Sequence, residues 1–276
     1  MSELRVAIVT SNARGNAARI GHHLARSVDG VAVVGAVVDT GTAADRGRQL
    51  RRLRAWRRHG GTSYLLWRCW LAVRARIDPQ PREFYDRTLA QLGEEYCFPV
   101  LRVPNVNSPQ ARDALRSLRA DLGVSVGNRV LAETTFSIPR LGMVNLHHGR
   151  VPDYRGGPAG FWEIYNDEPV MGVSVHRIDA ELDHGELLGR AEVPLAAGDD
   201  PRAAMERAYT VDAGLMGAVV AAIAAGTSMP IAVDFADGTV RTLPSRAQVR
   251  ELQRRLGRPV RHDDFRRARL PVLPET

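Results

Sequence analysis

Two hydrophobic rhythms alternate along this chain. Short, nearly continuous apolar runs give way to stretches where apolar residues recur every third or fourth position. Residues 5–9 and 31–38 are runs of the first kind, and between them Ile20, Leu24 and Val28 mark one face of a helix. The same alternation returns downstream. It predicts a strand over 98–103, a helix opened by Ser108 with Ala111, Leu115 and Leu118 on one face, and strands over 122–126 and 142–146. Residues 170–178 and 186–193 read as two further strands. Buried strands separated by helices predict an α/β fold, a doubly wound, mostly parallel, Rossmann-like sheet covered on both faces.

Residues 41–96 interrupt the rhythm. Leu50, Leu53 and Trp56 form a narrow stripe on an arginine-rich helix. A second helix over 63–77 carries Leu65, Leu66, Trp67, Trp70 and Val73. A helical insertion over 45–95, packing on the sheet edge, is the plain reading. A basic amphipathic pair over 45–77 could instead meet a membrane surface or a partner. Around residues 196–200 the pattern changes again, placing a catalytic domain at 1–196 and a small C-terminal extension at 197–276. Pro201 opens a long helix to about residue 225, an Asp-Gly turn at 237–238 suggests a hairpin, and an Arg-rich helix covers 246–256.

Composition alters this picture only modestly. The chain has 276 residues, a formal charge of +7 and a pI near 10.2, but every one of its 38 basic residues is arginine. Absence of lysine in an Ala/Arg/Gly-rich chain points to a GC-rich coding sequence more than to a phosphate track, so the charge alone does not argue for nucleic acid. No apolar stretch is expected to span a bilayer, and the first residues lead straight into a strand, so a cytoplasmic protein is expected. Cys69 and Cys97 lack metal-ligand spacing.

The chemistry concentrates at residues 145–157, where an apolar strand enters a Pro/Gly-rich loop. Asn145 and His147 are two apart on a strand and so point to the same side. An amide beside an imidazole can stabilise an oxyanion and move a proton, the needs of acyl transfer. Further on, Asp183 precedes a glycine turn and an apolar strand, where it could hold the imidazole and favour its charged form. His148 suggests a loop-positioning role, and His176 a hydrogen-bonded core histidine. With His184 these imidazoles lack a metal-ligand framework, so no metal is expected.

In order along the chain, Asn145-Leu146-His147, Val151-Pro152-Asp153-Tyr154-Arg155-Gly156, Gly172-Val173-Ser174-Val175-His176 and Leu182-Asp183-His184-Gly185 resemble the folate-dependent formyltransferase family. The resemblance is strong over 122–195, weaker over 4–40, and absent over 45–95 and after 230. It implies transfer of a formyl group from 10-formyltetrahydrofolate to a primary amine, with Asn145, His147 and Asp183 as the catalytic residues. It also implies a pterin held mainly by backbone of Gly127, Asn128, Arg129, Val130 and Leu131 and of Asp179 to Leu182 and Asp183. On the acceptor side it implies Asn12 and Arg14, in a loop similar to the family's glycine-rich phosphate loop, with Tyr154, Arg155 and Gly156. The segment after residue 196 is too short and too helical for the β-barrel of the methionyl-tRNA members, which argues against tRNA. A helix, hairpin and tail are closest in layout to the sugar N-formyltransferases. The expected acceptor is therefore a small-molecule amine, possibly nucleotide-linked, and the expected assembly a homodimer. A formyltetrahydrofolate deformylase, a non-catalytic folate- or nucleotide-binding protein and a membrane-associated scaffold are the competing readings.

Overall fold

The computed structural model describes residues 3–41, 54, 62, 66, 87–236 and 238–256. Seven strands form one sheet in the order β3-β2-β1-β4-β5-β7-β8. They are β1 (Leu4–Thr10), β2 (Val31–Asp39), β3 (Val100–Val103), β4 (Leu122–Val126), β5 (Met143–His147), β7 (Val170–Arg177) and β8 (Leu187–Pro194). The first five are parallel, while β7 runs antiparallel to both β5 and β8. β4 is buried at every position, as a strand covered on both faces must be. The expected α/β architecture is thus present.

Helices cover the two faces. On one side lie α1 (Asn16–Ser27), α2 (Leu89–Glu95) and the long α6 (Pro201–Ala224), whose Ala204, Met216 and Val220 share a core with Ile8, Leu24, Val144 and Val173. On the other lies α3 (Pro109–Leu118), whose Ala111, Leu115 and Leu118 pack with Ala7, Val9, Val37 and Met143. Ser108 caps α3 by accepting from the Ala111 N–H, and Asp200 caps α6 by accepting from the Arg202 and Ala203 N–H groups.

Three expectations need correction. By length and apolarity alone α6 could cross a membrane, contrary to the reading that no segment could. It carries the fully buried Asp212 and packs against α1, β7 and β8, so here it is a core helix. For the same reason a boundary at residue 196 does not separate two hydrophobic cores. The hairpin at the Asp-Gly turn does not form, because its arms find different partners. Ile231 bridges to Leu187, whereas β9 (Val240–Arg241) pairs in parallel with β6 (Arg155–Gly156). The helices expected over 45–77 lie outside the described residues, except that Arg54, Thr62 and Leu66 are helical.

The remaining elements are short. α4 (Glu133–Phe136) follows the β4 exit loop, α5 (Phe161–Tyr165) follows β6, and α7 (Arg246–Arg255) closes the described chain behind a Ser245–Gln248 capping box. Sheet order reverses direction between β1 and β4, and the loops leaving their carboxyl ends are residues 11–15 and 127–132. In open α/β sheets that crevice is where ligands bind. Asn128 stitches it closed at the base, donating to the Val9 carbonyl at 2.6 Å and to Ser125 Oγ at 3.0 Å.

Candidate active site

β5 delivers Asn145 and His147 to the carboxyl end of the sheet, and antiparallel pairing places His176 of β7 directly opposite Asn145. The connection from β7 to β8 then brings Asp183 over the same spot. Asn145 Nδ2 lies 3.4 Å from His176 Nε2. The two carboxylate oxygens of Asp183 divide between the histidines, with Oδ2 3.3 Å from His147 Nδ1 and Oδ1 3.5 Å from His176 Nε2. Asn145, His147 and Asp183, singled out in the sequence, are therefore brought together. His176, read there as a core histidine, joins them. Only the β5–β7 register reveals this, and a strand pattern carries no register.

Tautomers follow from the partners. His176 Nδ1 is 2.7 Å from the Arg177 carbonyl, so that nitrogen holds the hydrogen and Nε2 can accept from the Asn145 amide. His147 Nε2 likewise donates to the Tyr154 carbonyl at 2.7 Å. His147 Nδ1 is then the edge that can take up a proton, and it faces Asp183. Burial holds the His147 imidazole below its ordinary value, outweighing the upward pull of Asp183 and of the Tyr154 carbonyl. The expected upward pull of Asp183 is present, but loss of water is the larger effect and sets the net direction. For Asp183, burial pushes upward, yet the protonated form of His176, which would donate to it from Nε2, the charge of protonated His147 and the Gly156 N–H together hold it below the usual carboxylate range.

The loop after β5 serves as the frame. Asp183 Oδ2 accepts from the Gly156 N–H at 2.9 Å, and Arg155 clamps the Leu182 carbonyl with Nε at 2.9 Å and NH2 at 2.7 Å. Tyr154 is buried and donates its hydroxyl to Glu168 at 2.5 Å. Ser174 Oγ donates to the Gly149 carbonyl and accepts from the Val151 N–H, tying the loop to β7. Gly149 has a steric reason to be glycine, since a Cβ there would meet the Tyr154 carbonyl and lie 2.5 Å from His147 Nε2. Tyr154, Arg155 and Gly156 were expected on the acceptor side. Their side chains and backbone are instead committed inside the protein, where they position Asp183.

The other expected contacts divide by exposure. In 127–131, Leu131 is buried, Arg129 pairs with the buried Asp39 at 2.8 Å, and Val130 stands 70% exposed. Leu182 is 40% exposed on the second segment, and Asp179 is occupied by the Glu181 N–H and by His184. Asn12 accepts from the Arg14 N–H, and Arg14 itself is exposed. Gly15, with φ of 60°, opens α1 without a side-chain cap. His148 points to α6, where its Nε2 lies 2.7 Å from Asp212 Oδ2. Among the described residues no group of three His, Cys, Asp or Glu side chains is arranged for a metal ion.

A family model described as "Formyl transferase" matches residues 79–220. A methionyl-tRNA formyltransferase of Citrifermentans bemidjiense is 30% identical over 140 residues, covering 50% of this chain and 44% of that protein. The chain thus aligns with less than half the length of such curated relatives. Among solved structures, a phosphoribosylglycinamide formyltransferase from Anaplasma phagocytophilum superposes with a TM-score of 0.59 at 17% identity, over 84% of this chain and 96% of that one. An N-formyltransferase from Helicobacter canadensis, solved with folinic acid and dTDP-3-aminofucose, gives 0.57 at 14% identity, over 89% and 72%. At these identities the structures establish a shared fold.

Proposed function

Because the chain belongs to the formyl transferase family, we propose that it moves a formyl group from 10-formyltetrahydrofolate to a primary amine on a small metabolite, with a nucleotide-linked amino sugar as the leading candidate. One observation carries this reading: Asn145, His147, His176 and Asp183 converge at the carboxyl end of β5, beside the crevice between β1 and β4. The folate co-substrate supplies an activated formyl carbon. Val130 and Leu182 would cover its ring, and backbone of 127–131 and 179–183 would meet its polar edge.

The protein's part is electrostatic and positional. Attack by an amine puts negative charge on the formyl oxygen, and the Asn145 amide is a neutral donor already oriented by His176. His147 Nδ1 is a free lone pair facing Asp183, and the carboxylate stabilises the charge when that nitrogen takes up a proton during reaction. No nucleophile of the enzyme is needed, since the acceptor amine is the attacker. Small acceptors are favoured over tRNA because the described residues after 225 fold back onto the catalytic loop: β9 braces β6, Trp162 donates to the Thr242 carbonyl, and Arg255 reaches the Tyr165 carbonyl.

The deciding experiment offers 10-formyltetrahydrofolate with a panel of amines that includes dTDP-linked amino sugars, glycinamide ribonucleotide and methionyl-tRNA, and weighs products by mass spectrometry. A formylated small amine, lost in His147→Ala and Asp183→Asn, is the expected result. Formate released without any amine would instead make the protein a deformylase, and formyl-methionyl-tRNA would reverse the choice of acceptor.

A further inference from the structure

We propose that His148 and Asp212 form a second proton-handling pair, which takes the proton from the acceptor's ammonium group before attack, with Asn16 completing the subsite. This deepens the formyl-transfer reading and rests on it.

The two adjacent imidazoles are in opposite situations. Both nitrogens of His147 face protein acceptors, the Tyr154 carbonyl and Asp183. His148 uses only Nε2, which lies 2.7 Å from Asp212 Oδ2. A carboxylate oxygen can only accept, so Nε2 holds the hydrogen and the lone pair is on Nδ1. That nitrogen has no protein partner among the described residues, and the side chain keeps 15% of its surface open. His148 therefore has a free basic edge at the same strand end as the Asn145 cluster.

Asp212 is costly where it stands. It is fully buried on α6, and its Oδ2 also accepts from Asn16 Nδ2 at 2.6 Å. Its Oδ1 and the Asn16 Oδ1 are buried with no hydrogen-bond partner. Burying a carboxylate merely to hold a loop is poorly compensated. Behind a histidine that gains charge, it stabilises the imidazolium as it forms. The orphaned oxygens both want donors, and an ammonium group is donor-only. The remaining groups around His148 are Tyr209 of α6, whose ring lies edge-on at 5.3 Å, Arg19 of α1, which donates to the Tyr209 carbonyl, and His147. Asn16 is the first residue of α1, directly after the 11–15 loop. Through Asp212 the pair therefore links the end of β5 to the start of α1, beside the loop expected to meet the acceptor.

The step balances. One proton passes from the ammonium nitrogen to His148 Nδ1, freeing the lone pair that forms the new bond to the formyl carbon. The bond from that carbon to the folate nitrogen breaks, and the amine's second proton goes to the departing nitrogen. His148 then releases its proton to solvent, leaving a formamide and tetrahydrofolate.

The test compares two small probes, methylamine, which is almost wholly protonated at neutral pH, and hydroxylamine, which is largely not. His148→Gln is expected to slow formylation of methylamine at pH 7 by about 100-fold, to slow hydroxylamine far less, and to approach the wild-type rate as the pH rises. Equal losses for both probes, or none, would overturn the proposal. A second arm is independent of turnover: nitrogen NMR should show His148 protonated at Nε2 in the wild type, with that preference weakened in Asp212→Asn. A ring protonated at Nδ1 would overturn the pair even if neither probe reacts. Binding of 5-formyltetrahydrofolate to the wild type, measured by calorimetry, separates the two failures, because its absence removes the formyl-transfer reading while the tautomer result still stands or falls alone.

Discussion

Asp183 Oδ2 lies 3.3 Å from His147 Nδ1, and the Gly156 N–H fixes the same oxygen from the loop side at 2.9 Å. One carboxylate thus joins the proposed proton carrier to a backbone strut that β9 braces from behind. The contact depends on an unusual backbone, because Asp183 has φ of 48°, in the left-handed region.

That conformation decides which substitution is informative. Asn enters the left-handed region nearly as readily as Asp, whereas Ala does so at a cost. Asp183→Asn should therefore keep the fold and an amide oxygen for Gly156, while removing the charge beside His147. Formyl-transfer kcat is expected to fall by about 10²- to 10⁴-fold with Tm nearly unchanged. Steady-state kinetics alongside calorimetry check this, and a large fall in Tm with modest kinetic loss would make Asp183 structural.

Asn145 makes a separate prediction because it carries no charge. Asn145→Ala removes the proposed donor to the formyl oxygen, a loss of about 2.7–4 kcal/mol of transition-state stabilisation. It should lower kcat while leaving the affinity for 5-formyltetrahydrofolate close to wild type. An equal loss in both would mean that Asn145 holds the co-substrate rather than the charge that develops during reaction.

Strands and helices were legible in the sequence where periodicity is strong. Residues 122–126 match β4, and Ser108 caps α3 as its position implied. Asn145 and His147 share a face because side chains alternate along a strand. What the sequence hid were relations between segments. His176 enters the site through pairing register, and Asp212 reaches His148 from 64 residues away. The Asp-Gly turn misled for the same reason. A local hairpin signal lost to long-range pairing of β9 with β6, in which Arg155 and Gly156 already had work to do at Leu182 and Asp183. Tyr154 and Arg155 stand out in the sequence, yet nothing local says that their side chains turn inward.

His147 should titrate below an ordinary histidine, since burial outweighs Asp183. The unfolded chain then takes up the proton first as pH falls. This contribution to stability is fully present above the ordinary imidazole value near 6.5 and is lost as pH drops toward the folded value. Removing Asp183 takes away an upward pull, so Asp183→Asn should lower the His147 titration further. Carbon-edited NMR of the ring reads both, and a titration above the ordinary value would refute the burial argument.

Gly149→Ala should damage the site without replacing any ionisable group. The new Cβ would press on the Tyr154 carbonyl and lie 2.5 Å from His147 Nε2, the two ends of one hydrogen bond. Neither backbone nor a packed ring gives way cheaply, and overpacking of this kind costs about 1–3 kcal/mol. Tm should fall accordingly, with the His147 ring resonances shifted. Unchanged ring resonances would show that the loop moves away intact.

Glu163 provides a pH signature separate from the proposed catalytic groups. It is 2% exposed on α5, one carboxylate oxygen has no partner, and burial raises it from 4.5 to about 7. Nearby Glu168 adds to the rise, while backbone hydrogen bonds and the Arg241 guanidinium oppose it. The folded chain therefore binds this proton more tightly than the unfolded chain does. The sign follows from linkage: the contribution is fully present below the unfolded carboxyl value and lost as pH rises through the folded one. Between pH 4.5 and about 7 the loss is on the order of 3 kcal/mol. Glu163→Gln keeps the shape and removes the charge, so it should raise stability at pH 8 and flatten the decline across that window. Urea unfolding at a series of pH values measures both. If the variant and wild type decline in parallel, the proton resides elsewhere, and the α5 carboxylate is hydrated or paired in solution.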